Sequence, residues 1–466
     1  MKKGNDLGKD NIFSLVLKLA VPSMLAQLIN VLYNIVDRMF IGNIPEVGAL
    51  ALAGVGVCGP IVTLLTSFGT LVGLGGSIMM AMSMGEGDSD KAKKIMSNSL
   101  LSLFLLAVGL TAGFLLLRKN MIYWFGGSDI TFPYANAYLT IYTIGTIFAL
   151  MATGLNYFIT CQGFSGFGMM TVVIGAVANI ILDWLFVFEM NMGVEGAAWA
   201  TVISQMLSFL SAVSFLVSKK PEIRVCFGNY SLDIIKRIVS IGLSPFLILA
   251  TDSVIAIAVN VVLKQFGGSQ ADLLISAAAI VQSYMLMITG PLIGISGGTQ
   301  AIISYNYGAG AGDRIRKAEK VILGMGVIFT SIMFMVTRLF PDFFVSFFTD
   351  DPQLMGVTVW GIKIFTLGII PLSFQYCLVD GLTALGRIKT ALCLSMHRKA
   401  IYLFLTFLIP ALYAAKDVFY AQCIADFISS AVSTVVFLLV FEKHVRRREE
   451  AMRFRNENSE IKAAAN

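Results

Sequence analysis

The stretch "LYNIVDRMFIG", Leu32 to Gly42, closes an apolar run that begins near Phe13, and it carries Asp37 and Arg38 side by side. A run of that length can cross the hydrocarbon core of a bilayer, which takes about 20 mainly apolar residues. Lipid offers no hydrogen-bond partner, so an aspartate in such a helix must look into a helix bundle or a wet cavity. Upstream of Asp37, Gln27, Asn30 and Asn34 fall at spacings of three and four and share its face. The fragment therefore reads as a membrane helix with a polar stripe turned inward, a candidate cavity lining.

The rest of the chain agrees with a membrane setting. Of its 466 residues, 57% are hydrophobic and 13% charged, and the mean hydropathy is +0.80, which places it outside the soluble class. It divides into about a dozen apolar spans joined by short loops. They lie near 13–41, 48–84, 95–117, 134–158, 169–189, 194–217, 235–263, 273–307, 315–339, 355–380, 390–412 and 417–441. The expected fold is all-α, with about 12 transmembrane helices. The first span is too long for a signal peptide and has no small-residue cleavage site, so it is expected to be retained.

Charge sets the orientation. With a cytoplasmic N-terminus and alternating spans, the inside collects Lys2, Lys3, Lys9, Lys91, Lys93, Lys94, Lys219, Lys220, Arg224, Arg314, Arg316, Lys317, Lys320, Arg387, Lys389 and the tail "KHVRRREEAMRFR". The outside receives Arg118, Lys119, Lys264, Arg338 and Lys416. That asymmetry expects both termini in the cytoplasm of a cell-membrane protein.

A shift of 223 residues superposes the two halves of the chain. It lays Pro22 of "LAVPSML" (Leu19 to Leu25) on Pro245 of "IGLSPFL" (Ile241 to Leu247), with the flanking context offset by a single residue, "IYTIG" (Ile141 to Gly145) on "IFTLG" (Ile364 to Gly368), and "TCQG" (Thr160 to Gly163) on "TALG" (Thr383 to Gly386). Within a residue or two, "GGS" (Gly75 to Ser77) answers "GGT" (Gly297 to Thr299), and "GEGDSDKAKK" (from Gly85) answers "GAGDRIRKAEK" (from Gly310). Six spans per repeat is an even number, so the halves share one orientation, a parallel repeat about an axis along the membrane normal, as in secondary transporters. The expected domains are an N-terminal six-helix lobe (1–217), a cytoplasmic linker (218–233), a C-terminal six-helix lobe (234–443) and a basic tail (444–466).

The proline-bearing first helix ending in "NIVDRMFIG", the "ALALAGVG" opening of the second span, the "GEGD" and "GAGD" turns and "NIILDWLFVFEMNMGVEGAAWATVIS" (Asn179 to Ser204) together resemble the multidrug and toxic compound extrusion (MATE) transporters, and within them the bacterial multidrug exporters. The likeness runs from Ile12 to about Phe441. It implies two lobes around a central cavity that opens alternately to each side. It also implies export of lipophilic, often cationic compounds, driven by inward flow of H+ or Na+. The family's N-terminal coupling site maps onto Asp37, Asn179, Asp183 and Thr201, with Asn156 a further member.

Spacing alone supports part of that set. Asn179 and Asp183 are four apart on one helical face. At 1.5 Å per residue Asp183 stands roughly 21 Å above the cytoplasmic end of its helix, and Thr201 about 10 Å below the outer end of the next. Asp37 lies in the outer third of the first span. Two carboxylates in one low-dielectric pocket cannot both ionise cheaply, so the pair is suited to a shared proton or to a hard cation such as Na+. Arg38, about 100° round the helix, reads as an interfacial anchor. The second half does not repeat the acids: the shift turns Asp37 into Asn260, Asn179 into Tyr402, Asp183 into Thr406 and Thr201 into Ile424. It carries instead Asp252, Asp380, Arg398, Lys399 and Asp426, expected as a structural ion pair of Arg398 with Asp380 or Asp426, or else as a second cation site.

Other classes find little support. There is no GxxxxGK[ST] loop for ATP. His397 and His444 form no constellation, and Cys58, Cys161, Cys226, Cys377, Cys393 and Cys423 are scattered. The chain is expected to be no enzyme, to need no cofactor beyond a coupling H+ or Na+, and to hold no metal other than Na+ at Asp37 and Asp183. It should meet small lipophilic or cationic molecules and the lipid bilayer but no nucleic acid, and act as a monomer. The competing readings are a flippase for lipid-linked sugars, which would line its cavity with several bases for a diphosphate, and a passive channel, for which an acid pair in a two-lobe repeat is poorly suited.

Overall fold

In the computed structural model, residues 5–349 and 351–464 are described. Lys2 and Lys3 of the inside charge count lie outside them. Among the described residues the chain is all helix and short turns, with no strand. The first half contains α1 (Ile12–Gly42), α2 (Gly48–Gly85), α3 (Ser89–Trp124), α4 (Phe132–Ile144), α5 (Thr146–Thr160), α6 (Ser165–Asp183) and α7 (Gly193–Val217). The second contains α8 (Leu232–Phe266), α9 (Ala271–Ala309), α10 (Gly312–Leu339), the short α11 (Pro341–Val345), α12 (Pro352–Phe365), α13 (Ile369–Ala384), α14 (Ile388–Leu412) and α15 (Phe419–Ala464). Among the described residues eleven helical stretches are long and apolar enough to span a membrane, and α4 with α5, bent by 55°, makes a twelfth if the pair is one span. This is a multi-pass membrane protein.

The repeat extends to local conformation. The bend between α4 and α5 falls at Gly145, and its counterpart Gly368 closes the short 3-10 turn between α12 and α13. Both breaks are packing sites. A β-carbon at Gly145 would stand 2.5 Å from Val202 of α7, and one at Gly368 would stand 2.9 Å from the Asp426 β-carbon of α15. The sixth span of each repeat thus presses into the break of the fourth. The turn glycines also coincide: Gly87 (φ 75°) matches Gly310 (φ 71°), and Gly163 (φ 84°) matches Gly386 (φ 72°). Only glycine adopts these left-handed angles cheaply.

The chain forms two compact units. One comprises residues 1–9 and 25–250; the other comprises 10–24 and 251–466. The divisions fall inside α1 and α8, so the opening of α8 packs in the first unit and the opening of α1 in the second, although the polar linker lies at 218–233. Glycines allow both contacts. In unit 1 a β-carbon at Gly242 of α8 would lie 1.7 Å from the Leu71 carbonyl oxygen of α2; in unit 2 one at Gly294 of α9 would lie 2.6 Å from the Ser23 carbonyl oxygen of α1. Lipid is as apolar as the helices, so association rests on such close backbone packing. The core of unit 1 gathers Ile41, Cys58, Ile61, Leu65, Leu139 and Tyr142. That of unit 2 gathers Val259, Leu263, Val281, Ile288, Ile362 and Tyr402.

Several helices outrun their apolar spans. α3 starts at Ser89, where Asp88 accepts a hydrogen bond from the Lys91 backbone N–H at 2.9 Å. α15 runs on through the expected tail, because residues 419–464 hold no glycine or proline and the Glu442–Arg446 pair supports the helix at 2.7 Å. Arg316 of α10 bonds Glu442 and Glu449, each at 3.0 Å.

Candidate functional site

The polar stripe of α1 is only partly taken into unit 1. Asp37 is buried, Asn34 is exposed, and Gln27 and Asn30 are half-buried. Asn34 Nδ2 donates to its own helix at Asn30 O, 2.6 Å.

Asp37 faces Asp183. Asp183 is fully buried and is the last residue of α6; from Trp184 to Glu189 the helix widens into a π turn. Such turns are uncommon and occur often at functional sites. One turn back on α6, Asn179 is 1% exposed. Asp37 Oδ1, both carboxylate oxygens of Asp183 and both amide atoms of Asn179 have no hydrogen-bond partner. Buried polar groups are nearly always paired, and a buried carboxylate pair with open oxygens is the arrangement that a proton or a small cation completes.

Tyrosines stand beside the pair. Tyr33, one turn before Asp37 on α1, lies within the field of both carboxylates. Tyr138 of α4 is buried beside Asp37 and directs its hydroxyl at Thr201. Thr201 Oγ1 also donates to Ala197 O at 3.0 Å on its own helix α7. Tyr142 stacks on Tyr138 with ring centroids 6.2 Å apart, and its hydroxyl accepts from Gln205 Nε2 at 3.1 Å. The i, i+4 relation of Tyr33 to Asp37 was visible in the sequence; the approach of α4 was not.

Asp37, Asp183, Asn179 and Thr201 therefore lie in one region of unit 1. Asn156 does not join them. It sits on α5, where its Nδ2 donates to Gly168 O at 2.8 Å and to Thr171 Oγ1 at 2.9 Å. Thr171 lies some three turns of α6, about 18 Å, from Asp183. Asn156 is a tie between α5 and α6. Arg38 is exposed and forms no ion pair with Asp37; its guanidinium lies near Gly59 of α2.

In unit 2 the expected charge cluster is built on two neighbouring ion pairs. Arg398 Nε donates to Asp426 Oδ1 at 2.8 Å, with both groups buried. Gln422 Nε2 holds the same carboxylate at 2.9 and 3.0 Å, and the guanidinium lies 5.7 Å from the Tyr376 ring centre. Lys399 pairs with Asp252. Asp380 belongs to neither pair; it stands with Ser296 and Gln300 of α9. Among the described residues no group of three or more His, Cys, Asp or Glu is placed to hold a metal ion.

The MatE family model matches residues 22–185 and again 246–408, one match to each half of the repeat. The chain belongs to the MatE family. Among similar proteins of this family of transporters, the multidrug export protein MepA of Staphylococcus saprophyticus is 22% identical over 434 residues, covering 92% of this chain and 95% of that protein. MepA of Staphylococcus haemolyticus is 23% identical over 420 residues, covering 90% and 91%. The fold matches an outward-facing multidrug resistance MATE family transporter of the MOP superfamily with a TM-score of 0.87, at 19% identity over 97% of this chain and 99% of that one. In this MatE transporter, then, the two matched segments are the two halves in which the breaks at Gly145 and Gly368 recur.

Proposed function

We propose that the chain is a secondary multidrug exporter of the cell membrane, with both termini cytoplasmic, exchanging lipophilic and cationic compounds for H+ or Na+ by alternating access. The observation that carries the reading is the Asp37–Asp183 pair: two buried carboxyl groups facing one another, with open oxygens and the unpartnered amide of Asn179 beside them. Its chemistry is exchange. Taking up a proton or Na+ leaves the pair with a single shared negative charge, and losing it restores two carboxylates that repel one another, so occupancy biases the arrangement of α1 against α6. Tyr33, Tyr138 and Thr201 supply hydroxyls around that charge. The similarity to export proteins named for multidrug transport supports the substrate class.

The flippase reading has no matching observation. Arg398 and Lys399, the two buried bases among the described residues of unit 2, are each committed to a carboxylate and unavailable to a diphosphate.

The test is ethidium accumulation in drug-sensitive bacterial cells expressing the chain. Wild type should keep ethidium out, and collapsing the proton and sodium gradients should abolish the effect. Equal accumulation with and without the chain, at verified expression, would overturn the reading.

A further inference from the structure

Away from the Asp37–Asp183 pair, unpartnered buried polar atoms concentrate once more, in unit 2 where α9, α10 and α13 meet. Glu319 of α10 is 4% exposed, and neither carboxylate oxygen makes a hydrogen bond. The group lies flat against Gly381 of α13: a β-carbon there would stand 2.7 Å from Oε1 and from Oε2. Asp380, the residue beside that glycine, is the charge that Glu319 meets. Ser296 and Gln300 of α9, both 2% exposed, stand against Asp380, and Gln300 Oε1 has no hydrogen-bond partner. No lysine or arginine among the described residues pairs with either acid.

The repeat shows that the scaffold does not require this polarity. Under the shift of 223, Glu319, Gly381, Asp380 and Gln300 correspond to Met96, Phe158, Tyr157 and Ser77 of unit 1. There Met96 and Phe158 are fully buried, and a β-carbon at Gly76 would come 2.7 Å from the Phe158 ring. In unit 2 the large ring is replaced by a glycine and the vacated space is taken by a carboxylate. Four oxygen-bearing side chains thus converge on a place that packing alone would fill with hydrocarbon.

We propose that Glu319, Asp380, Ser296 and Gln300 form a second Na+ site, in unit 2 and separate from the Asp37–Asp183 pair, which protons contest. Every donor is an oxygen, the ligand type that hard cations take. A buried carboxyl group beside a half-buried one, with no basic partner, is neutralised either by a proton or by a bound cation. The small donor set suits a monovalent ion better than calcium, which takes roughly six to eight oxygens. Asp380 is the half-buried member through which the ion would enter.

The test is equilibrium binding of radioactive Na+ to the purified full-length chain in detergent, at alkaline pH in choline buffer. It is done in the Asp37→Asn/Asp183→Asn background, so that unit 1 contributes nothing and the result is independent of which ion drives export. Saturable binding is expected, displaced by unlabelled Na+ and by acid but not by K+. Adding Glu319→Gln, or Gly381→Ala, whose methyl group would strike the carboxylate, should weaken it by about tenfold or more. Ser296→Ala, a milder change that keeps the fold, should weaken it measurably in the same background. Absence of saturable Na+ binding in the folded Asp37/Asp183 double variant would overturn the proposal, as would binding that Glu319→Gln and Ser296→Ala leave unchanged.

Discussion

At the scale of single residues, buried polar groups divide into those that are satisfied and those left open. Arg398 and Asp426 are satisfied by each other and by Gln422. Asp426→Ala strands a buried guanidinium and should cost about 3–5 kcal/mol, seen as a lowered midpoint of thermal unfolding. Asn156 is likewise satisfied, by Gly168 and Thr171. Asn156→Ala should lower stability by about 1–3 kcal/mol and leave gradient-driven transport by the folded protein intact. Loss of transport at full stability would return Asn156 to the coupling machinery. The acids were legible because Gln27, Asn30, Asn34 and Asp37 share a helical face, and Asn179 and Asp183 another. Asn156 rests on the resemblance alone, with no shared helical face to tie it to the acids, and its bonds to Gly168 and Thr171 place it elsewhere along α6. Glu319 escaped notice because "GDRIRKAEK" reads as a solvated, charged helix start, and only the packing of α13 shows that Glu319 points inward.

Among elements, the spans were visible in hydropathy and the breaks were not. "IYTIGTIF" contains no proline, and at the bend Val202 of α7 occupies the place that a β-carbon of Gly145 would take. The division inside α1 and α8 was equally hidden, since it depends on which glycine faces which backbone. Gly242 makes this testable. A side chain there meets the Leu71 carbonyl at 1.7 Å, so Gly242→Val should separate α2 from α8 and cost at least about 3 kcal/mol, or prevent folding. Gly113, with open space around it, is the control: Gly113→Ala should leave the melting temperature within a degree or so of wild type.

Over the whole molecule, two halves share a scaffold on which acids are placed differently. Unit 1 carries Asp37 and Asp183 where unit 2 has Asn260 and Thr406; unit 2 carries Glu319 and Asp380 where unit 1 has Met96 and Tyr157. The parallel repeat and the basic loops also imply an orientation. A membrane-impermeant maleimide should label Lys220→Cys only in inside-out vesicles and Lys119→Cys only in intact cells, both positions being exposed. The reverse pattern would invert the topology and with it the direction of export. If the Asp37–Asp183 pair couples an ion gradient to export, ethidium uptake into inside-out vesicles under an imposed pH or Na+ gradient depends on it. Wild type should concentrate ethidium, and Asp183→Asn, at equal expression and stability, should fall to the level of vesicles lacking the protein. Full gradient-driven uptake by Asp183→Asn would contradict the account.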